Sequence, residues 1–179
     1  MLNFLEIIEQ FYGRDTDAAR LLIKHSRQVA DLAMEIARRK PQLEIDTQFA
    51  YEAAMLHDIG IFRTHAPEIF CLGTEPYIKH GILGRELLDG MGLPRHALVC
   101  ERHTGAGISA FDIREQQLPL PPRDMLPISI EEKLVCYADK FYSKSHPDRT
   151  TTYEQAHNKL QKYGSATVAR FEALHELFG

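Results

Sequence analysis

Apolar residues recur along this chain at three- and four-residue steps, the repeat of an amphipathic helix, and nowhere alternate long enough for a useful strand. Met1–Tyr12 reads as a short helix ending near Gly13. A longer one runs from about Asp17 to Lys40, with Leu22, Val29, Ala33 and Ile36 as its inner stripe and Pro41 as its stop. Asp46 or Thr47 caps a third, extending to about Asp58. Gly60–Gly73 is expected to be irregular. A helix then opens at Thr74 or Glu75 and closes around Gly90–Gly92, and a short one spans Pro94 to about His103. Pro119, Pro121, Pro122 and Pro127 make Leu118–Pro127 a loop, because proline lacks the N–H that a helix or central strand requires. Ser129 with Glu132, and Thr151 with Glu154, have capping-box spacing ahead of two further helices, the second running toward Gln161. A final helix takes Ser165 to Phe178. The class is all-α. One domain is expected over residues 1–179, with a core of about 17–146 and C-terminal helices of about 150–178 packed on it.

Composition narrows the function. The 179 residues are 44% hydrophobic and 26% charged, a globular balance that needs no disulfide or structural metal to build a core. Lys plus Arg is 21 against 25 Asp plus Glu, a net charge of −4, which argues against an extended nucleic-acid surface and leaves room for a single nucleotide. No apolar run approaches the ~18–20 residues of a membrane span. Glu6 and Glu9 fall where a secretory signal needs an apolar stretch, so a cytoplasmic location is expected. The three cysteines contain no CxxC pair and are expected to be buried, inert thiols. Nine histidines are the one unusual count.

Several ionisable residues occupy positions that should be apolar. His25 lies between Leu22 and Val29 on the inner stripe of its helix. His57 follows Ala53 by four residues, with Asp58 next. His80 lines up with Tyr77, Gly84 and Leu87, and Asp139 with Val135 and Cys136. A carboxylate buried there unpaired is expensive. One such histidine is ordinarily a hydrogen-bonded core residue; five such residues directed inward from four helices point to convergence on a cation. Imidazole with carboxylate is a ligand set for Fe, Mn, Co, Ni or Zn rather than for a thiolate zinc site.

The order His25, then the pair His57–Asp58, then a distant Asp139 resembles the HD superfamily of metal-dependent phosphohydrolases. His57-Asp58-Ile59-Gly60 spells HDIG, and Asp139 sits in Tyr137-Ala138-Asp139-Lys140. The resemblance runs from about His25 to the C-terminal helix and implies an all-α bundle with His25, His57, Asp58 and Asp139 on one metal. His80 in His80-Gly81-Ile82-Leu83-Gly84 and His103 in His103-Thr104-Gly105 are similar to the second-metal histidines of HD-GYP phosphodiesterases and of bacterial diadenosine tetraphosphate hydrolases of this fold. Asp58 would then bridge two divalent ions, with Fe or Mn the first expectation and Zn, Co, Ni or Mg also compatible. Gly105-Ala106-Gly107 stands where GYP would be, so cyclic-di-GMP hydrolysis is not expected.

Two such ions about 3.5–4 Å apart suit an in-line phosphoryl displacement by an activated water. Positive charge must then meet the phosphate oxygens. Arg63 and Lys140 are the preferred candidates, joined by Lys144, with Lys79 and Arg102 as further options and His65 as a substrate contact. His146, His157 and His175 are expected to face solvent. His96 is expected to pack in the core, as are Phe141, Tyr142, Tyr163 and Phe171. The resulting expectation is a phosphohydrolase of a small phosphate ester or anhydride, with a nucleotide as the substrate class, Asp58, Lys140 and Arg63 as its catalytic groups, and no membrane partner; a homodimer is compatible. The same six ligand types also resemble the mixed-valent diiron centre of myo-inositol oxygenase, which the ligands alone do not separate. A module that only binds a nucleotide is third, since no ligand of the set is missing. Ile61–Tyr77 and the proline loop are expected to flank the entrance, because loops carry specificity.

Overall fold

Local signals decide most helix boundaries. The computed structural model describes residues 2–179, so the Met1 end of the first predicted helix lies outside them. Helix α1 (Phe4–Tyr12) starts at Asn3, whose side chain accepts from the Glu6 N–H, and stops at Gly13, where φ is +77°. Helix α2 (Asp17–Arg39) begins at Thr16, whose hydroxyl accepts from the Ala19 N–H at 3.1 Å and donates to the Tyr12 carbonyl at 2.8 Å. Helix α3 (Thr47–Leu56) is capped by Asp46, which accepts from the Phe49 N–H at 3.0 Å. It ends two residues before its expected limit, so Asp58 stands outside the helix.

The next stretch is a 3₁₀ turn (Ile59–Arg63) and a two-residue antiparallel ribbon, β1 (His65–Ala66) with β2 (Cys71–Leu72). Helix α4 (His80–Gly90) opens at His80, not at Thr74 or Glu75. Glu75 cannot start a helix because its N–H donates to the Arg63 carbonyl and its carbonyl accepts from the His65 N–H. Helices α5 (Pro94–Arg102) and α6 (Ala110–Glu115) follow. The second of these has no periodic stripe to betray it and is held by a complete capping box between Ser109 and Asp112. Pro-rich 118–127 contains neither helix nor strand.

Helix α7 (Ile130–Asp139) uses only half of the expected capping box. Ser129 accepts from the Glu132 N–H, but the Glu132 carboxylate takes the Ile128 N–H and the Arg102 guanidinium, each at 2.8 Å. Helix α8 (Tyr153–Leu160) is capped one residue later than expected, by Thr152 with Gln155, because the Thr151 N–H is committed to the Phe141 carbonyl. Helix α9 (Ser165–Phe178) matches its expected span. The molecule is all-α apart from the ribbon, and among the described residues no helix is long and apolar enough to cross a membrane.

Helix α2 packs along α3 and α7, α4 lies against α5 and the 59–63 turn, and α9 covers α7. Two apolar clusters result. Val29, Ala33, Phe49, Met55, Leu134 and Phe171 belong to one; Ile8, Leu22, Leu56, Ile59, Leu88 and Cys100 belong to the other. Each fully buried side chain of this size contributes about 1.5–3 kcal/mol. Leu22 is in the second cluster and Val29 in the first, so His25 between them marks the seam. Leu56 and Met55 divide the same way on α3, just before His57. All three cysteines are free and buried, and burial pushes the Cys71 and Cys136 thiols up to about 11.

Gly60 explains how closely the two sides of the seam approach. A Cβ there would stand 2.3 Å from both the Gly84 N and the His80 carbonyl, which are backbone atoms that cannot turn aside. The 59–63 turn therefore touches the first turn of α4, bringing Asp58 to His80. Gly60→Ala is expected to cost about 3 kcal/mol, lowering the thermal midpoint by about 6–12 °C. Gly90→Ala, with nothing within 4 Å of its added carbon, should be neutral or slightly stabilising. Melting of the two variants by circular dichroism checks both.

Candidate metal centre and adjoining cleft

Four of the six predicted ligands stand at helix ends: His57 and His103 just past α3 and α5, His80 at the start of α4, and Asp139 at the end of α7. The position has a chemical consequence. His57, His80 and His103 each direct Nδ1 at the carbonyl three residues earlier, those of Ala54, Tyr77 and Cys100, at 2.6, 2.7 and 2.8 Å. A carbonyl only accepts, so each Nδ1 carries a proton and each ring turns its Nε2 inward. Such second hydrogen bonds are what hold metal-binding histidines in orientation.

The inward atoms form two groups around Asp58, which is 0% exposed. His25 Nε2 and His57 Nε2 lie 3.2 and 3.1 Å from Asp58 Oδ2, and 3.0 and 3.4 Å from Asp139 Oδ1. His80 Nε2 and His103 Nε2 lie 3.5 and 3.3 Å from Asp58 Oδ1. One carboxylate thus faces four histidines, two with each oxygen.

Hydrogen bonds do not account for this packing. His57 Nε2 and Asp58 Oδ1 are buried without a hydrogen-bond partner despite their short separations, and Asp58 Oδ2 has only the Lys144 ammonium beside its two histidines. His80 Nε2 faces His103 Nε2 at 3.1 Å with both protons already placed on Nδ1, so two lone pairs point at each other. Burial lowers the pKa of both rings, that of His80 to about 3, with His103 and Lys144 adding to its shift, so neither supplies a proton to the gap. His57 behaves oppositely: burial opposes its charge, but Asp58 and the bonds to Asp139 outweigh it and raise it to about 9. Asp58 and Asp139 stay well below the usual carboxylate range against the penalty of burial, because His57 and Lys144 face the first and Lys140 and Lys144 the second. Orphaned donors of this kind call for an ion. The mixed imidazole–carboxylate set, with no thiolate, fits a divalent cation.

The cationic candidates divide. Lys144 Nζ reaches Asp58 Oδ2 at 2.6 Å, and Lys140 Nζ bonds Asp139 Oδ2 at 2.7 Å and the His103 carbonyl at 3.2 Å. Both line a cleft of about 410 Å³ that opens beside Asp139. Arg63 does not join them: it pairs with Glu86 at 2.9 Å on the surface. His65 is exposed on β1 with its side chain unengaged, and neither it nor Arg63 lines the cleft. Lys79 and Arg102 are drawn off by Glu75 and Glu132. His96 packs edge-on against Phe49 beside Glu52, away from the site.

Other contributors were invisible in the pattern. Tyr12, on α1, places its hydroxyl 3.3 and 3.1 Å from the Asp58 and Ile59 carbonyls and accepts from the Phe62 N–H at 3.0 Å, clamping the backbone that presents Asp58. The cleft's outer wall carries Lys159, Lys162, Tyr142 and Tyr163; Tyr163 is 43% exposed and so is not the core residue expected, whereas Phe171 is buried in the core and Phe141 and Tyr142 pack half-buried against it. From the Ile61–Tyr77 stretch, Glu68, Ile69 and Tyr77 line the cleft, while the proline loop does not. His175 is also not a solvent residue: its Nδ1 is 2.7 Å from the Tyr137 hydroxyl and its ring stacks on Tyr153. His146 is exposed, and His157 pairs with Glu172 at the surface.

Comparison with known proteins agrees with this arrangement. The HD domain family model matches residues 22–143. An uncharacterized protein of Methanocaldococcus jannaschii is 38% identical over 121 residues, covering 66% of this chain and 64% of that protein. A tRNA (cytidine(56)-2'-O)-methyltransferase of Picrophilus torridus is 33% identical over 165 residues, 91% of this chain and 43% of its own. The enzyme of the same name in Thermoplasma volcanium is 30% identical over 161 residues, 89% of this chain and 42% of its own. The chain therefore spans from about two fifths to about two thirds of the length of these curated relatives. No solved structure matches it.

Chelator-treated protein titrated with Mn²⁺ to a hundred times its dissociation constant should gain about 2.7 kcal/mol of folding stability, a rise of about 5–11 °C in thermal midpoint. The gain should vanish in Asp58→Ala; a variant that is stabilised equally would remove Asp58 from the centre. Tyr12→Phe should lower the metal-free stability by about 1–3 kcal/mol and weaken Mn²⁺ binding on the order of tenfold, read by calorimetric titration.

Proposed function

The chain belongs to the HD domain family, a superfamily of metal-dependent hydrolases, and on that premise we propose that it is a phosphohydrolase of a small phosphate ester or anhydride, with a nucleotide as the substrate class. The observation that carries the reading is the pair of histidine groups on the two oxygens of Asp58, with His57 Nε2 and Asp58 Oδ1 buried and unpartnered and His80 Nε2 facing His103 Nε2 at 3.1 Å. His25, His57, Asp58 and Asp139 would hold one divalent ion, and Asp58, His80 and His103 a second, with Asp58 shared. Ions held there would polarise phosphoryl oxygens and make a water acidic enough to ionise near neutral pH.

The chain's own part is charge and position. Lys144, beside Asp58, stands on the same cleft as Asp139 and supplies a cation for non-bridging phosphoryl oxygens. Lys140 is held by Asp139 and the His103 carbonyl, so its role is to fix the end of α7 against the end of α5 and to add positive potential. Lys159 and Lys162 bring the cleft's lysines to four against the carboxylates of Glu68 and Asp139. That is a local excess of positive charge in a chain whose net charge is −4. The cleft volume of about 410 Å³ is in the range of sites for small molecules. In the reaction, the oxygen of water bonds to phosphorus, the P–O bond to the leaving group breaks, and the leaving oxygen takes up a proton. The methyl transfer named for the two tRNA-acting relatives is not carried over, since this chain spans less than half of each.

Phosphate release measured anaerobically with Mn²⁺ or Fe²⁺, across nucleotides, dinucleoside polyphosphates and sugar phosphates, tests the proposal. Turnover should require metal and disappear in Asp58→Ala. Lys144→Gln should lower kcat by about 10²–10³ while keeping the fold. Oxygen uptake in place of phosphate release, on an iron-loaded sample, would replace the hydrolase with an oxygenase.

A further inference from the structure

A second, smaller chamber of about 110 Å³ opens off the cleft, sharing Gly105 and Tyr163 with it. Ile78, Ile108 and Leu118 line it. Behind them stands a third apolar cluster, in which Ile108, Ile113 and Met125 pack with Ile82 and Leu120, separate from the two that build the body of the fold. The polar groups on its wall are mostly spent. Asp112 is held by Arg170 at 2.6 Å and by the Ser109 N–H at 2.8 Å, and the Thr167 hydroxyl donates to the Tyr163 carbonyl at 3.2 Å. Gln116 donates to that same carbonyl at 3.2 Å, which leaves its own amide oxygen available. Thr104 ties the chamber to the candidate metal centre, with its hydroxyl 3.3 Å from His80 Nε2.

An apolar chamber one residue from a cation-binding cluster has no use for phosphate itself. It suits the uncharged part of a molecule whose phosphate lies in the cleft. Size then limits the occupant: an apolar protein cavity of about 150 Å³ accepts one benzene ring, and this chamber is smaller but open at its mouth. We propose that it is a substrate subsite taking a single planar ring, so that the substrate is a phosphate ester of a pyrimidine-type nucleoside rather than of a purine nucleoside or a bare sugar. The subsite rests on the phosphohydrolase reading above for what lies in the cleft, and on the chamber alone for the ring. The Thr104 hydroxyl oxygen and the Gln116 amide oxygen offer acceptors to the amino or imide N–H on the ring's polar edge, and burying the ring supplies the affinity.

The test compares wild type with Leu118→Trp, which puts a bulky side chain at a half-buried rim position remote from the six clustered residues. Manganese-dependent phosphate release is measured for cytidine and uridine monophosphates, adenosine monophosphate and ribose 5-phosphate. Calorimetric titration of cytidine into the metal-free protein is run beside it, and circular dichroism confirms that the variant folds. In wild type the pyrimidine nucleotides should exceed ribose 5-phosphate in kcat/KM on the order of tenfold to a hundredfold, the scale of burying one ring, and should exceed the purine nucleotide. Leu118→Trp should remove that preference while leaving ribose 5-phosphate turnover within about twofold. Equal turnover of all four substrates, or a preference that survives Leu118→Trp, overturns the subsite and leaves the hydrolase standing. Absence of metal-dependent release from every substrate overturns the hydrolase instead. In that event cytidine binding decides the chamber: binding lost in Leu118→Trp supports it, and no binding to wild type overturns it.

Discussion

An aspartate with no access to water stays ionised only if positive charge is brought to it, and removing a compensating partner from such a charge ordinarily costs several kcal/mol. Asp58 is in that position, with no exposed surface, and much of the molecule can be understood as the means of meeting its charge. Four imidazoles and one ammonium surround it, drawn from α2, from the ends of α3 and α5, from the start of α4, and from the segment after α7. The backbone that carries it is clamped by Tyr12 and pressed against α4 at Gly60. The surrounding apolar clusters meet at this seam and keep water from it.

Helix termini are a practical way to build such a centre. A histidine at or just past a helix end finds the carbonyl three residues back within reach, donates Nδ1–H to it, and has its tautomer set without another residue. Three of the four histidines do this, and the fourth, His25, is a mid-helix residue whose ring is held by the two carboxylates. The device aims three Nε2 atoms at one carboxylate, and His25 adds a fourth. The arrangement is poorly satisfied by hydrogen bonds and well suited to cations, which is why the proposed chemistry follows from the donors rather than from the cleft. The cleft and its apolar annex then concern what is recognised, and part of their wall, at Lys159, Lys162 and Tyr163, lies beyond the segment that the HD domain model matches.

What the amino-acid order determined unaided is what depends on near neighbours or on residue type. The 3.6-residue repeat places α2, α5 and α9 within a residue or so, because burial of one face is a local pattern. Ligand types were legible because His and Asp at core positions are anomalous wherever the chain folds. Even the HDIG glycine had a reason that only packing reveals, its contact with α4. Tertiary structure alone decided the rest. Arg63 adjoins the motif in sequence yet turns to Glu86, while Lys144, far along the chain, closes on Asp58: an ion pair goes to whichever opposite charge the fold brings near. Tyr12, Tyr163 and the start of α4 at His80 were likewise settled by distant partners, since neither a hydroxyl's acceptor nor a backbone already committed to another segment leaves any periodic trace in the order of residues.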